Sequence, residues 1–215
     1  MYTLIIGNKN YSSWSMRPWL VLDHFGLPFE EVMVELDQPD TRDRLLAYTP
    51  AAKVPVLLAP EIAVWDSIAI IEYVAEQHPD LAIWPTVSRD RARARSLAAE
   101  MHSGYPGLRS GCPMNLRKKF KFKLRGGARA QRDVERFEQI IRDRRLRSDG
   151  PFMFGEWGAV DAMYAPLVTR LITYDWPISD LTREYCDAVM AEASFQKWLA
   201  AALDETMILP ADEVS

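Results

Sequence analysis

The chain has 215 residues, 48% hydrophobic and 26% charged, with a net charge of −4. That is enough apolar content for a buried core in one large or two small domains. The acidic balance, with a pI near 5.5, argues against a general nucleic-acid binder, and no apolar run approaches the roughly 20 residues of a membrane span.

The opening stretch Met1-Tyr2-Thr3-Leu4-Ile5-Ile6 reads as a strand over 2–6 rather than as a signal peptide. This predicts a cytoplasmic protein whose two cysteines, Cys112 and Cys186, stay reduced and pack as small hydrophobes. Gly7-Asn8-Lys9-Asn10 is a turn, and a helix is expected to run from there to about residue 25, ended by Gly26 and Pro28. Proline is tolerated in a first helical turn but not deeper. Pro18 therefore makes Ser15 the expected N-cap and leaves Ser12 and Ser13 just upstream, facing the helix's positive end. A second strand is expected over 29–36, closed by Gln38-Pro39-Asp40, and a short helix over 41–48. Residues 56–58 and 62–65 form a hairpin across Ala59-Pro60-Glu61. Apolar Ile68, Ile71, Val74 and Ala75 then mark a helix over 67–78. The order over residues 1–80 is β-α-β-α-β-β-α.

His78-Pro79-Asp80 breaks this unit, and the stretch to Ser88 reads as a linker. Residues 88–215 carry no convincing strand. Helical patterns cover 89–103, 128–146, 159–173, 181–191 and 195–204. The first is interrupted at Gly104-Tyr105-Pro106-Gly107, and the second stops at Ser148-Asp149-Gly150. The prediction is an α/β domain over 1–80 followed by an all-helical domain over 88–215.

Three segments of the first domain suit the recognition of a small zwitterionic thiol. Asn10-Tyr11-Ser12-Ser13-Trp14-Ser15-Met16-Arg17-Pro18 places hydroxyls and free N–H groups at a helix N-terminus beside a strand end, a natural anion site. Lys53-Val54-Pro55-Val56 leads into a strand, and Trp65-Asp66-Ser67 opens a helix. Ordinary capping by Ser12, Ser13, Asp66 or Ser67 is the plainer alternative at each position. The three histidines, His24, His78 and His102, do not suggest a metal site, and no cofactor is expected.

With these motifs in this order, nearly the whole chain resembles the cytosolic glutathione transferases. Ser12-Ser13-Trp14-Ser15-Met16-Arg17 is similar to the Ser-Ser-Cys-Ser-Trp-Arg signature of the zeta class, with Trp14 in place of the cysteine. The resemblance implies a thioredoxin-like first domain, a homodimer, and glutathione as cosubstrate with no metal or redox cofactor. By position in the motif, Ser12 would hydrogen-bond the glutathione sulfur, with Ser13 the neighbouring candidate and Tyr11 a weaker one. A cis Val54-Pro55 bond would let Val54 pair with the cysteinyl backbone, and Lys53 would reach the glycyl carboxylate or simply lie exposed. Ser67 would take the γ-glutamyl carboxylate and Asp66 its ammonium. The electrophile pocket would draw on His102, Ser103, Tyr105 and Arg109, although His102 and Arg109 read equally as surface or structural residues.

The implied function is conjugation of glutathione to a small electrophile, as in detoxification. The alternatives are a glutathione-dependent isomerase of the maleylacetoacetate type and a non-catalytic glutathione-binding regulator. Gly158 to Asp161 resembles the family's helix-capping box, a structural motif. The basic segment 117–132 reads as a solvated loop or a funnel for anions, with neither nucleic acid nor membrane as a partner.

Overall fold

The computed structural model describes residues 1–145 and 149–214. The first part of the chain runs β1 (Tyr2–Ile6), α1 (Ser13–His24), β2 (Phe29–Met33), α2 (Thr41–Leu46), β3 (Val56–Ala59), β4 (Ile62–Val64) and α3 (Ser67–Gln77). The strands form one sheet in the order β2-β1-β3-β4. β1 runs parallel to β2, with Tyr2 opposite Phe29, and antiparallel to β3, with Leu4 opposite Leu57. β3 and β4 close the hairpin, with Leu58 opposite Ala63. This is the β-α-β-α-β-β-α thioredoxin-like order expected from the sequence.

After α3 the chain carries six α-helices among the described residues: α4 (Ser88–Ser103), α5 (Pro106–Gly111), α6 (Gly127–Arg145), α7 (Ala159–Thr173), α8 (Asp180–Ala191) and α9 (Ala193–Asp204). A 3-10 turn follows at Pro210–Asp212. Two isolated bridges, Phe152 to Gly155 and Phe154 to Glu156, are the only β pairing described here. The interruption after α4 is a short helix set close against α6: a Cβ on Gly107 would lie 2.4 Å from the Ala130 nitrogen. The expected end of the 128–146 helix, and Ser148 of its stop signal, lie outside the described residues. No described helix is long and apolar enough to cross a membrane.

The two parts share one core. α7 is apolar nearly all round, and every residue in it except Ile172 is buried, as befits a central helix. α1 packs on α7, α3 and α9, burying Met16, Trp19, Leu20 and Leu22. That burial explains the first correction. α1 begins at Ser13 with Ser12, not Ser15, as N-cap, and Pro18 lies inside the helix. Burial of this face outweighs the loss of one helical hydrogen bond at the proline.

Two further boundaries differ from expectation. β2 stops at Met33 rather than residue 36, because the backbone there is recruited elsewhere. The Leu36 N–H donates to Asn8 Oδ1 at 2.9 Å, Thr41 Oγ1 donates to the Glu35 carbonyl at 2.6 Å, and Asp37 turns the chain at φ 57°. α2 ends at Leu46 rather than residue 48, where the Leu45 carbonyl accepts the N–H groups of both Tyr48 and Thr49.

Candidate functional site

A cleft of about 500 Å3 opens where the three expected segments meet. Trp14 of α1 lines it, with Lys53, Val54 and Pro55 from the approach to β3, and Trp65 and Asp66 from the turn into α3. The Val54–Pro55 peptide is cis. A second cavity, of about 490 Å3, lies among Arg89, Leu97, Arg136 and Met153, and holds none of the residues singled out from the sequence.

At α3, Asp66 is the N-cap, and its Oδ1 accepts the Ile68 N–H at 3.1 Å. Its other oxygen lies 3.1 Å from His102 Nε2, so His102 of α4 faces the cleft's edge. Ser67 is fully buried at the positive end of α3, and its hydroxyl has no protein partner. A buried polar atom without a partner is costly. At a helix N-terminus it is suited to an anionic ligand. Lys53 is exposed and lines the cleft.

At α1, Ser12 and Ser13 are both buried, at 5% and 7% exposure. Ser12 Oγ accepts the Ser15 N–H at 3.3 Å as the cap and donates to Ser15 Oγ at 2.7 Å. Ser15 Oγ in turn accepts the Gly7 N–H at 3.1 Å. A hydroxyl proton rotates to suit its partners. Ser15 Oγ thus accepts from both Gly7 and Ser12, and the Ser12 O–H reaches another acceptor by rotating away from Ser15. Ser13 Oγ accepts from Arg170 Nη2 at 3.4 Å. Tyr11 has a different task. Its hydroxyl donates to Glu213 at 2.6 Å and accepts from Arg117 Nη2 at 2.7 Å, and burial, then the bond to Glu213, raises its pKa.

On the helical side the residues scatter. Arg109 is half-buried and lies 4.3 Å from the Trp14 ring centre, donating through Nη1 to the carbonyls of His102 and Gly104. His102 meets the same indole edge-on at 5.1 Å. Tyr105 and Ser103 do not join them. Tyr105 is buried, with its hydroxyl 3.3 Å from that of Tyr164, and exposed Ser103 bonds back to the Ala99 carbonyl at 2.9 Å.

Sequence reasoning missed two arginines. Arg17 is fully buried one turn below Trp14, its guanidinium 4.2 Å from the indole centre, and its Nε and Nη1 have no hydrogen-bond partner. Arg170 of α7 is also buried and donates to the carbonyls of Cys112 and Pro166, both at 2.9 Å. Burial, reinforced by the neighbouring arginines, pulls Arg17 well below its ordinary pKa. Burial, then Arg109, pulls Arg170 down to about 10. At about 10, Arg170 remains charged at neutral pH. Trp14 is thus clamped between the guanidinium groups of Arg17 and Arg109. A signal for Arg170 was available: it is a lone cation in the apolar run 159–173.

Among the described residues no cluster of three or more His, Cys, Asp or Glu could hold a metal ion.

Known proteins share this architecture. Residues 11–77 match the family model for the glutathione S-transferase N-terminal domain. The solved glutathione transferase homolog from Burkholderia gl BGR1, with bound glutathione, is 26% identical, with a TM-score of 0.74 over 95% of this chain and 99% of that one. A bacterial maleylpyruvate isomerase structure of the zeta class superposes with a TM-score of 0.74 at 22% identity, over 95% of this chain and 100% of that one, a likeness of fold. The chain is also 34% identical over 100 residues to a probable maleylacetoacetate isomerase from Caenorhabditis elegans, covering 46% of each. It is 34% identical over 96 residues to a maleylpyruvate isomerase from a Ralstonia species, covering 42% of this chain and 45% of that one. Each of these last two matches spans less than half of the relative's length.

Proposed function

We propose that this chain, whose residues 11–77 belong to the glutathione S-transferase family, binds glutathione in the 500 Å3 cleft and activates its thiol for attack on a small electrophile. The observation that carries the reading is the buried, partnerless Ser67 hydroxyl at the N-terminus of α3, directly after Asp66, which lines the cleft with Val54 and Pro55. Ser67 would take the γ-glutamyl carboxylate. Asp66, already paired with His102, would hold the ammonium, Val54 would pair with the cysteinyl backbone, and Lys53 would steady the glycyl carboxylate.

The reaction needs thiolate, and a free thiol titrates near pH 8.5. Each unit of depression takes about 1.4 kcal/mol of preferential stabilisation. The α1 N-terminus supplies roughly 0.3–2 kcal/mol, and a hydroxyl donating to a charged acceptor roughly 1.5–3 kcal/mol. Together they lower the pKa by about one to three units, enough to make thiolate the main form at pH 7. Ser12 is the donor, its O–H rotating from Ser15 to the bound sulfur; Ser13 is the neighbour to be tested beside it. In conjugation the thiolate forms a carbon–sulfur bond and the leaving group departs with its electron pair.

A second reading has a specific support. Arg17 and Arg109 lie against Trp14 of the cleft wall, with Arg170 near Arg17, and this positive charge suits an electrophile bearing a carboxylate. A glutathione-dependent isomerase would exploit it: the thiolate adds to a carbon–carbon double bond, the resulting single bond rotates, and the thiolate is expelled. The test is turnover on two substrates, an activated aryl halide and a cis-configured unsaturated carboxylate, with Ser12→Ala and Ser13→Ala alongside. Conjugation lost by 10–100-fold in Ser12→Ala supports the transferase. Isomerisation without consumption of glutathione supports the second reading. Binding of glutathione with neither activity identifies a binding protein and rejects both.

The homodimer and the cytoplasmic location belong to the same proposal.

A further inference from the structure

The loop that leads into Ser12, the N-cap of α1, is gripped from outside by the segment that follows α9. Glu205 Oε1 accepts the Lys9 N–H at 2.6 Å, and Oε2 accepts the Asn10 N–H at 3.0 Å. One carboxylate thus serves two consecutive backbone amides, and such charge-assisted bonds are the stronger kind. Arg117, between α5 and α6, ties the two together: it donates to the carbonyls of Glu205 and Met207 and to the Tyr11 hydroxyl. Glu213 accepts from Tyr11 at 2.6 Å and from Asn115 Nδ2 at 2.8 Å. None of these residues lines the cleft.

The loop between the grips is short and tight. The N–H groups of Tyr11 and Ser12 both donate to the Asn8 carbonyl, at 3.1 and 2.8 Å. Fully buried Asn10 accepts from the N–H groups of Leu116 and Arg117. A shift of the backbone at residues 9–10 therefore passes directly to Ser12, two residues on.

We propose that Glu205 is a positioning residue for the thiolate site: its carboxylate fixes the amides of Lys9 and Asn10, and so sets where the Ser12 hydroxyl points. The inference rests on the glutathione reading above. Losing the carboxylate leaves two donors without an acceptor and frees the loop. A displacement of about 1 Å near the chemistry costs up to about 100-fold in rate.

Glu205→Gln separates positioning from packing. The side chain keeps its size, but its amide nitrogen faces one of the two backbone N–H groups, donor against donor. A role in packing alone is rescued by glutamine; the proposed role is not.

The experiment measures the thiol pKa of bound glutathione, kcat and KM for wild type, Glu205→Gln, Glu205→Ala and Tyr11→Phe. We expect the thiol pKa to rise by about one unit in both Glu205 variants, and kcat to fall about tenfold with KM for glutathione changed less than about twofold. Tyr11→Phe, the mildest change and the fallback should Glu205→Ala not fold, shifts both quantities the same way by less. A Glu205→Gln protein with wild-type thiol pKa and kcat overturns the proposal, whatever its melting temperature, as does a rise in KM alone. A wild type that binds glutathione without lowering its thiol pKa overturns the glutathione reading itself, so the two failures are distinct.

Discussion

The two sides of the cleft handle polarity in opposite ways. On the sheet side, polar groups sit at helix N-termini with spare valence: Asp66 caps α3, and Ser67 keeps a buried hydroxyl with no protein partner. Behind Trp14, where α1 meets the helical part, full charges are buried. Arg17 has two nitrogens without partners, and Arg170 is satisfied by carbonyls alone apart from Ser13. The first arrangement strands one hydroxyl, that of Ser67, which the proposed zwitterion would satisfy. The second costs stability, since an isolated buried cation is expensive, and it makes sense where an anion completes it. On the proposed reading, the constant substrate is recognised by caps and the variable one by buried charge.

That contrast breaks most visibly if the helical side is not held together as described. Asp161 inside α7 accepts from the N–H groups of Met153 and Gly158 and from the Tyr185 hydroxyl, at 2.9, 3.0 and 2.9 Å. Asp161→Ala strands three buried donors and is expected to cost about 3–5 kcal/mol in denaturant unfolding, while the thiol pKa of bound glutathione stays put.

Ser67→Ala sharpens the other side. Its hydroxyl bonds nothing in the protein, so stability should hold while glutathione affinity, read by calorimetry, drops by about 1.5–3 kcal/mol, the worth of a hydrogen bond to a charge. An equal loss of stability would mean that Ser67 is a structural cap.

Arg17→Met tests whether buried charge is retained for a ligand. Removing a partnerless cation should leave thermal stability unchanged or raise it by about 1 kcal/mol, yet lower kcat/KM for a carboxylate-bearing electrophile more than for a neutral one. Equal losses on both electrophiles would contradict the anion account.

A further effect lies at the joint between the regions. Glu192 caps α9 and bonds His24 of α1 at 2.9 Å. Burial raises its pKa, but the bonds from His24, Ser194 and Phe195 outweigh it and leave the group at about 2, below the ordinary 4.5. The sign follows: this stability is present above about pH 4.5 and is lost as pH falls toward 2. Glu192→Gln should therefore cost about 1–2 kcal/mol at pH 7, and the difference from wild type should close in acid unfolding experiments.

The cap-built side was legible in the sequence, because Asp66-Ser67 and Val54-Pro55 act over one or two neighbouring residues and keep their local chemistry in the fold. The charge-built side was not. Arg17 reads as one more cation until α7 packs over it, and Tyr105, a plausible pocket residue by position, turns inward onto Tyr164. The grip on Lys9 by Glu205 joins residues 196 apart, beyond the reach of any local pattern. Even the start of α1 escaped, since the rule for Pro18 is local and the burial that overrides it is not.

The central claim is that the N-terminus of α1 and Ser12 turn a bound thiol into a thiolate. The most direct test is the ultraviolet thiolate absorbance of glutathione on the protein, titrated against pH for wild type and Ser12→Ala. The account predicts a wild-type pKa about one to three units below that of free glutathione, largely restored by the substitution. A bound thiol that titrates like the free one in the wild type would contradict it.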